Sequence, residues 1–398
     1  MARGGRPWRI AFYDAFASVD GPGMVLLELL QHLDRSRFQP HVVLPREGTL
    51  MAGLREADLC PVEVLPPLPP LDAYGKRLLQ AGAIARLRAG IALLRHTAQL
   101  RRWLRQADIA LLHCNQTRAA VQAGPAGRIA GLPVVWNARI RERLPASVVR
   151  IAAWSADRII PLTDDTFSEL PETFGLNEAG LRAISTVIPN AIDPLRFHPS
   201  VDGTHVREEL GIPTDVPVLL SVGVLVPRKG HDVLIRAMPA IRRHQRDARL
   251  LIAGGPAEGR EHCRSELEEL ASGEGVSAAV RMLGRRDDVP ELLAAADVFV
   301  LASRHEGHPA AVLEAMAAGT PVVVTPPAAV AVADGVTGIV VPPDEPEAVA
   351  EAVLELLARP ERAHATALAA RQHVERHHHI REMVRAYERV YLELLEGA

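Results

Sequence analysis

The chain has 398 residues, 48% of them hydrophobic and 23% charged, and its mean hydropathy is +0.06. This composition excludes a largely disordered chain, a collagen-like repeat and a coiled-coil rod, and the length favours two or three domains. The net charge of −3 divides unevenly, because residues 1–200 carry 24 Lys and Arg against 18 Asp and Glu whereas residues 201–398 carry 21 against 30. Halves of opposite sign predict domains with different ligands.

The first half alternates short apolar strands with helices. Strands are predicted over Trp8–Tyr13, His41–Leu44, Val62–Leu65, Ile109–His113, Val134–Trp136 and Arg158–Leu162, and helices over Met24–Leu33, Leu50–Ala57 and 76–105. The glycine-rich segment 20–23 is not a dinucleotide-binding fingerprint, because Leu26 occupies the position of its third glycine. We predict instead a flexible loop there. The alternation itself is typical of a parallel sheet covered by helices on both faces.

A proline-rich segment at 189–199 marks a predicted hinge, after which the alternation restarts. The predicted strands are Val218–Val222, Arg249–Ala253, Val280–Leu283, Val298–Leu301, Val322–Thr325 and Ile339–Val341, and helices are predicted over Asp232–His244 and Glu261–Ala271. Two doubly wound domains joined by a hinge face each other across a cleft and bind ligands at the carboxyl ends of their strands. We therefore predict two Rossmann-like domains, residues 1–190 and 191–379.

Two carboxylates flank the start of a predicted helix after the strand that ends at Leu301. Glu306, Gly307 and His308 precede Pro309, which we place as the first helical residue, and Glu314 follows on the helix. Free N–H groups at a helix start suit phosphate or sugar oxygens. A carboxylate at Glu314, on a small apolar helix, needs a partner. A solvated surface glutamate is the alternative interpretation.

A second loop between a strand and a helix carries adjacent cations, Arg228 and Lys229, within residues 223–231. Such a loop suits a phosphate group, and the alternative is a basic turn without a ligand. His373 and His377 have the i,i+4 spacing of metal ligands but no Glu between them, and the chain contains no D-x-D sequence. We therefore predict no metal site.

Residues 76–105 form a basic helical pattern without an acidic residue. The cations are Lys76, Arg77, Arg86, Arg88, Arg95, Arg101, Arg102 and Arg105. A basic amphipathic helix can lie on an anionic membrane, and an Arg-rich face in solvent fits the pattern equally well. No aromatic stacking platform accompanies these cations, so we expect no nucleic-acid partner.

These motifs resemble a known family, the retaining GT-B glycosyltransferases of family four. Glu306 and Glu314 have its E-x7-E spacing. The other matching segments, in chain order, are Val187–Asp193 (VIPNAID), Leu225–Leu234, Leu283–Val300, Ala315–Val324 and Asp334–Gly338 (DGVTG). The resemblance covers nearly the whole chain, is specific in the C-terminal half and is weaker in the N-terminal half. It implies that a terminal helix, within residues 380–398, returns to the first domain.

The resemblance implies a nucleotide-diphospho-sugar donor in the second domain, an acceptor in the first, and transfer of a hexose-type sugar to a hydroxyl with retention and without an essential metal or cofactor. Lys229 and Glu306 would be the catalytic residues, Lys229 on the diphosphate and Glu306 on the donor sugar. The donor would also contact Arg228, Glu314, Gly307, His308, Pro309, Arg285 and Asn190.

The chain departs from the family pattern near its N-terminus, where Gly21–Met24 (GPGM) replaces a common Gly-Gly-Ala-Glu, and at several donor positions, where His308 replaces an apolar residue. Val224 stands where the family has an arginine, and residues 326–332 (PPAAVAV) replace a glycine-containing loop with prolines, which lack N–H donors. These departures leave a second hypothesis, a catalytically impaired GT-B protein that binds nucleotide sugars or partners an active transferase.

The acceptor is the least determined part. Gly21 and Gly23 on the loop, and Asn115, Arg118 and Arg139 after predicted strands, are the candidate acceptor-binding residues. A lipid-linked acceptor, a glycan and a soluble natural-product core all remain open. No apolar run reaches the roughly 18 residues of a membrane span, and no signal peptide is visible. The separated cysteines Cys60, Cys114 and Cys263 indicate a reducing compartment, so we expect a cytoplasmic protein, with peripheral contact to the inner membrane face if its acceptor is lipid-linked.

Overall fold

The computed structural model describes residues 6–19, 21–67, 83–139, 146–168, 178–257 and 259–397. The chain divides into two units, Met1–Pro189 with Ile380–Ala398, and Asn190–His379. The predicted first domain extended to 190, whereas Asn190 lies in the second unit. Its side-chain amide donates to the carbonyl of His308 (2.7 Å), and its own carbonyl lies 3.2 Å from Nδ1 of His378.

The first unit builds a sheet from residues that alternate between strand and helix. Its elements are β1 (Trp8–Tyr13), α1 (Gly21–His32), β2 (Phe38–Leu44), α2 (Thr49–Glu56), β3 (Val62–Val64), α3 (Ala83–Gln106), β4 (Leu111–Cys114), α4 (Thr117–Ala130), β5 (Val134–Ala138), α5 (Ala146–Ser155), β6 (Arg158–Pro161), α6 (Glu178–Ala183) and the terminal helix α14 (Ile380–Glu396).

The second unit repeats this alternation. Its elements are α7 (Thr204–Leu210), β7 (Val218–Val222), α8 (His231–His244), β8 (Arg249–Ala253), α9 (His262–Gly273), β9 (Val280–Gly284), α10 (Val289–Ala295), β10 (Val298–Leu301), α11 (Ala310–Ala318), β11 (Val322–Val324), β12 (Ile339–Val340), α12 (Pro346–Ala358) and α13 (Pro360–His377).

Both sheets are parallel and doubly wound, as predicted. Among the described residues the first has the order β3-β2-β1-β4-β5-β6 and the second β12-β11-β10-β7-β8-β9, with every strand pair parallel. Strand side chains are buried on both faces. On β10, for example, Phe299 and Leu301 join one apolar cluster, and Val298 and Val300 join the other. Strand order reverses between β1 and β4 and between β7 and β10, which places ligand-binding loops at those carboxyl ends.

The terminal helix α14 packs within the first unit through buried tyrosines. Tyr387 Oη lies 2.8 Å from the Asn137 side chain, and Tyr391 Oη lies 2.8 Å from Nδ1 of His113. Burial raises the pKa of both tyrosines. These hydrogen bonds satisfy polar groups that would otherwise be buried at a cost, so they fix the register of α14.

Two local predictions were wrong. The segment 20–23 is helical from Gly21 onward, because Pro22 in the first turn lacks an N–H that would be unpaired there anyway. Pro309 caps α11 instead of beginning it: its backbone is extended (φ −71°, ψ 111°), and its carbonyl accepts from the N–H of Val312. Of the predicted helix 76–105, residues 83–105 are helical and 76–82 lie outside the described residues, as does Asp20. No helix among those that the structure describes has the length and hydropathy to cross a membrane.

Candidate functional site

Two loops meet at the carboxyl ends of β7 and β10. Residues 223–230 follow β7, and residues 302–309 follow β10. Gly230 has a left-handed backbone (φ +69°), and a Cβ there would lie 1.9 Å from the carbonyl oxygen of Ala302. Only glycine permits this close approach. The approach brings the loop that carries Arg228 and Lys229 against the loop that carries Glu306.

Lys229 and Glu306 form a buried ion pair in this contact. Lys229 Nζ lies 2.7 Å from Glu306 Oε1, and the two side chains are 10% and 7% exposed. Arg228 Nη1 lies 3.3 Å from Glu306 Oε2, and Ser303 Oγ donates to Oε1 at 2.8 Å. The structure therefore brings both predicted catalytic residues together, with Arg228 as a second and more exposed cation.

The charges around Glu306 keep it ionised. Burial alone raises the pKa of its carboxyl, but the Lys229 ammonium and the Arg228 guanidinium outweigh burial and hold the pKa below its usual value. The site thus holds one carboxylate against two cations, a net positive charge that suits an anionic ligand.

Lys229 is one of very few lysines in this sequence. The whole sequence contains two lysines, Lys76 and Lys229, and its remaining basic positions are arginines. An ammonium is a compact point charge with three donors, whereas guanidinium is a planar fork. Gly223 accommodates the lysine stem, since a Cβ there would lie 3.2 Å from Lys229 Cε.

His308 belongs to the same loop but turns toward the interior of the unit. It is buried, its ring centroid lies 5.2 Å from that of His378, and its Nδ1 has no hydrogen-bond partner among the residues that the structure describes. Burial lowers the pKa of His308 to about 3 and that of His378 to about 4. Both imidazoles are therefore neutral near pH 7.

The remaining predicted donor residues lie at the same edge of the sheet or near it. Gly307 is half-buried between Glu306 and His308, and Glu314 is half-buried in the second turn of α11. Arg285 follows β9, two strands from β7, where Nε lies 3.8 Å from the Asp287 carboxylate. Arg285 is thus the predicted donor residue farthest along the sheet from the ion pair.

The first unit collects polar side chains at the equivalent edge, around Asp14. Asp14 Oδ2 accepts from the side-chain amides of Asn115 and Gln116, each at 2.7 Å, and Oδ1 accepts from the N–H of Phe16 at 2.8 Å. Burial raises the pKa of Asp14 despite these hydrogen bonds. Asn115 Nδ2 also reaches the carbonyl of Pro22 at 3.2 Å, which joins the segment of Gly21 and Gly23 to it.

The predicted acceptor arginines lie near this cluster. Arg118 stacks over the ring of Phe16, with Cζ 5.1 Å from the centroid. Arg139 is buried, follows β5 and acts electrostatically on Asp14. The structure therefore brings Asn115, Arg118 and Arg139 to one edge of the first sheet.

Sequence reasoning missed four residues: Asp14, Gln116 and Ser303 of these two clusters, and Arg304, whose guanidinium contacts Pro227, Asp232 and Asp344 beside the ion pair. Asp14 directly follows the first strand, and Gln116 follows β4, so a search for polar residues at strand ends would have found both. No sequence motif indicates the role of Arg304, because its hydrogen-bond partners come from three separate segments of the chain.

One group of potential metal ligands occurs in the described part of the chain, at His262, Cys263 and Glu266 of α9. It lies outside the clusters above. His373 and His377 stack with centroids 4.8 Å apart and are not such a group.

Comparison with known proteins decides the family. The model described as "Glycosyl transferases group 1" matches residues 203–373, and the one described as "Glycosyltransferase Family 4" matches residues 19–196. The chain belongs to glycosyltransferase family 4, group 1. Similar curated family members include D-inositol 3-phosphate glycosyltransferase 2 of Catenulispora acidiphila (37% identical, 46% of this chain, 44% of the relative) and mannosylfructose-phosphate synthase of Agrobacterium fabrum (33%, 43% and 38%). The chain spans less than half the length of these relatives.

Solved structures show that this family 4 chain has the GT-B fold. Anabaena HepE in complex with UDP and glucose superposes with a TM-score of 0.80 at 21% identity, over 97% of this chain and 99% of that one. Sucrose-phosphate synthase from Thermosynechococcus elongatus gives 0.80 at 20% identity, over 98% and 100%.

Proposed function

We propose that this protein transfers a hexose-type sugar from a nucleotide-diphospho-sugar to an acceptor hydroxyl, with retention of configuration. The observation that carries the proposal is the buried Lys229–Glu306 pair, with Arg228 beside it, at the strand-order reversal of the second sheet. Family membership and the UDP-bound structural neighbour support a nucleotide-sugar donor.

The donor diphosphate would take its charge partners from Lys229 and Arg228. Glu306, which both cations now contact, would accept hydrogen bonds from the donor sugar hydroxyls. Ser303 donates to Glu306 Oε1 and so fixes the carboxylate for that role. The anionic diphosphate would compensate the net positive charge of the site.

In the transfer step, the acceptor oxygen forms a bond to the anomeric carbon while the bond from that carbon to the phosphate oxygen breaks. The leaving phosphate oxygen takes the acceptor proton on the same face, which retains the configuration. Negative charge grows on the diphosphate in the transition state, and a cation placed beforehand stabilises that charge. Lys229 is the buried cation in position to do so.

A donor screen tests the proposal. The protein is incubated with UDP- and GDP-sugars and a panel of sugar-phosphate, lipid-linked and polyol acceptors, and products are identified by mass. We expect one hexosyl unit added with a single donor base. Nucleotide binding in calorimetry without transfer to any acceptor would instead favour the second hypothesis, a protein that binds nucleotide sugars without transferring them. Val224 and the prolines of residues 326–328 are the observations that support this hypothesis.

Chelation should leave transfer intact. Lys229 and Arg228 supply the positive charge that other transferases obtain from a metal ion, and both Glu306 oxygens already face cations. We expect the initial rate in excess EDTA to match that in its absence. A rate that disappears with EDTA and returns with Mn²⁺ or Mg²⁺ contradicts this prediction.

The acceptor is proposed to be polar or anionic and to bind the first unit near Asn115, Arg118 and Arg139. The support is their convergence on one sheet edge, together with the excess of cations in residues 1–200. The names of two relatives, D-inositol 3-phosphate glycosyltransferase 2 and mannosylfructose-phosphate synthase, each contain a phosphorylated polyol or sugar, which is consistent with such an acceptor.

Helix α3 carries a surface that suits an anionic membrane. Ile84, Leu87, Ile91 and Leu94 are each between 43% and 71% exposed. At 3.6 residues per turn they fall within a stripe of about 80°, and the exposed Arg88, Arg95 and Arg102 lie along its edge. An apolar stripe beside cations is the pattern of an interfacial helix. We therefore propose peripheral binding to anionic lipid from the cytoplasmic side.

Binding to vesicles with 30 mol% anionic lipid should be strong at low salt and weaker at high salt. We expect the double variants Leu87→Ser/Leu94→Ser and Arg95→Glu/Arg102→Glu to remain in the supernatant after co-sedimentation. Leu368→Ser, which changes an exposed leucine of the second unit, is the matched control and should sediment like the wild type. Sedimentation unchanged by both double variants, or absent in the wild type, would leave a soluble acceptor as the better proposal.

A further inference from the structure

Arg304 lies at the centre of the two loops that hold the ion pair. Its guanidinium forms a bidentate pair with Asp232, Nη1 to Oδ1 at 2.9 Å and Nη2 to Oδ2 at 2.8 Å. Nε donates to Asp344 Oδ1 at 2.6 Å, Nη2 also contacts that oxygen, and Nη1 donates to the carbonyl of Pro227. Its backbone N–H donates to the carbonyl of Arg228 at 2.8 Å.

These contacts engage all three nitrogens of the side chain. A guanidinium has five N–H donors, and here each of its three nitrogens already faces a carboxylate or a carbonyl of the protein. Although Arg304 is only two residues from Glu306, its side-chain nitrogens are therefore engaged by oxygens of the protein. Its role has to be exerted through the groups it holds.

The groups it holds come from three segments. Pro227 and Arg228 belong to the short 3-10 helix that presents Lys229, Asp232 is in the first turn of α8, and Asp344 follows β12. Asp344 has a left-handed backbone (φ 60°), a conformation that non-glycine residues rarely adopt and that its ion pair with Arg304 helps to maintain. Arg304 itself belongs to the loop of Glu306, so one side chain ties that loop to the loop of Lys229.

We propose that Arg304 is a positioning residue, which sets the distance between Lys229 and Glu306 and thereby the place of the donor diphosphate. This inference rests on the proposed function and adds a determinant of the same site. A flat, forked cation is required, because a lysine ammonium cannot bind Asp232 in a bidentate manner and reach Asp344 and Pro227 as well. Misplacement of a catalytic group by about 1 Å can cost on the order of 100-fold in rate.

A double-mutant cycle tests the inference. Arg304→Gln is expected to lower kcat on the order of 100-fold, with a much smaller change in the KM for the acceptor. Arg304→Lys should recover less than a tenth of the wild-type kcat. Arg236→Gln is the matched control: Arg236 contacts the same Asp232 carboxylate, Nη1 to Oδ2 at 3.1 Å, from the same helix, and touches neither loop in the described contacts. It should keep kcat within about threefold.

The cycle is completed in the Lys229→Ala background. If Arg304 acts by placing Lys229, then Arg304→Gln should cost less than about threefold there, because the two changes remove the same contribution. Additive effects, or full activity in Arg304→Lys, overturn the inference while the transferase function stands. Thermal denaturation of each variant shows whether it folds. If Arg304→Gln does not fold, Asp344→Asn replaces it in the cycle, because it weakens one of the ion pairs of Arg304, and it should lower kcat at least fivefold.

Failure of the proposed function gives a different result. A wild-type protein that binds neither UDP nor GDP in calorimetry and transfers no sugar contradicts the function itself. A wild-type protein that transfers sugar, with kcat unaffected in Arg304→Gln, contradicts only the positioning role.

Discussion

Replacing Lys229 by methionine is expected to reduce kcat by about 100- to 1,000-fold, which corresponds to roughly 2.7–4 kcal/mol of transition-state stabilisation. Methionine keeps the length of the stem against Gly223 but removes the charge that lies 2.7 Å from Glu306. The growing charge on the diphosphate then lacks its buried cation. The measurement is the initial rate with the correct donor at saturating acceptor.

Arg228→Met provides the graded comparison. Arg228 contacts the same carboxylate at 3.3 Å but is 40% exposed, so solvent screens its charge and we expect a smaller loss than for Lys229. Glu306 keeps Arg228 and Ser303 as partners in Lys229→Met, so the variant should fold, which thermal denaturation verifies. Near-wild-type turnover in Lys229→Met means that the ion pair is structural and that the site assignment is wrong.

The two lysines of the chain allow a test of nucleotide binding without catalysis. Reductive methylation with ¹³C-formaldehyde labels Lys76, Lys229 and the chain terminus, and Lys76→Arg identifies the signal of Lys229. We expect UDP or GDP to shift the Lys229 methyl signal. A shift confined to Lys76 or to the terminus would place the nucleotide elsewhere.

The fold could be predicted from the apolar strand patterns of the sequence. Trp8–Tyr13, Val218–Val222, Arg249–Ala253 and Val298–Leu301 have the bounds predicted for them, because runs of four to six apolar residues between Gly, Pro or Asp have few alternatives in a parallel sheet. Element ends were less accessible. Pro309 fits the first helical position and the cap equally well, since proline fixes φ but leaves ψ free.

The approach of Lys229 and Glu306 could be predicted from the sequence, whereas the contacts of Arg304 that hold their loops together could not. Glu306 and Lys229 belong to motifs and follow strands that the sequence orders correctly, so their approach follows from the topology. Arg304 joins Pro227, Asp232 and Asp344, and no pattern along the chain indicates that these three positions share one guanidinium. Such contacts depend on how loops fold back on one another, which neither periodicity nor spacing encodes.

Acidification should destabilise the protein steeply between pH 6.5 and 4. Burial lowers the pKa of five histidines by a large amount: to about 4 for His96, His231 and His378, and to about 3 for His113 and His308. Below pH 6.5 these imidazoles take up protons in the unfolded chain but remain neutral in the folded protein. The unfolded state therefore binds more protons, and the free energy of unfolding falls as the pH falls, by up to about 1.4 kcal/mol per pH unit for each histidine.

The urea midpoint should therefore fall substantially when the pH is lowered from 7 to 5. Carboxylates alone would not cause this fall, because a group such as Glu306, whose ordinary pKa of 4.5 is lowered further in the folded protein, loses its contribution to stability only at lower pH. His231→Asn removes one of the five and should flatten the pH dependence whatever it does to the stability at pH 7. His205→Asn, at an exposed position of α7, is the control and should leave the slope unchanged. Equal slopes for His231→Asn and the wild type would mean that His231 takes up its proton in the folded state, and that its burial beside the Lys229 cation does not govern acid stability.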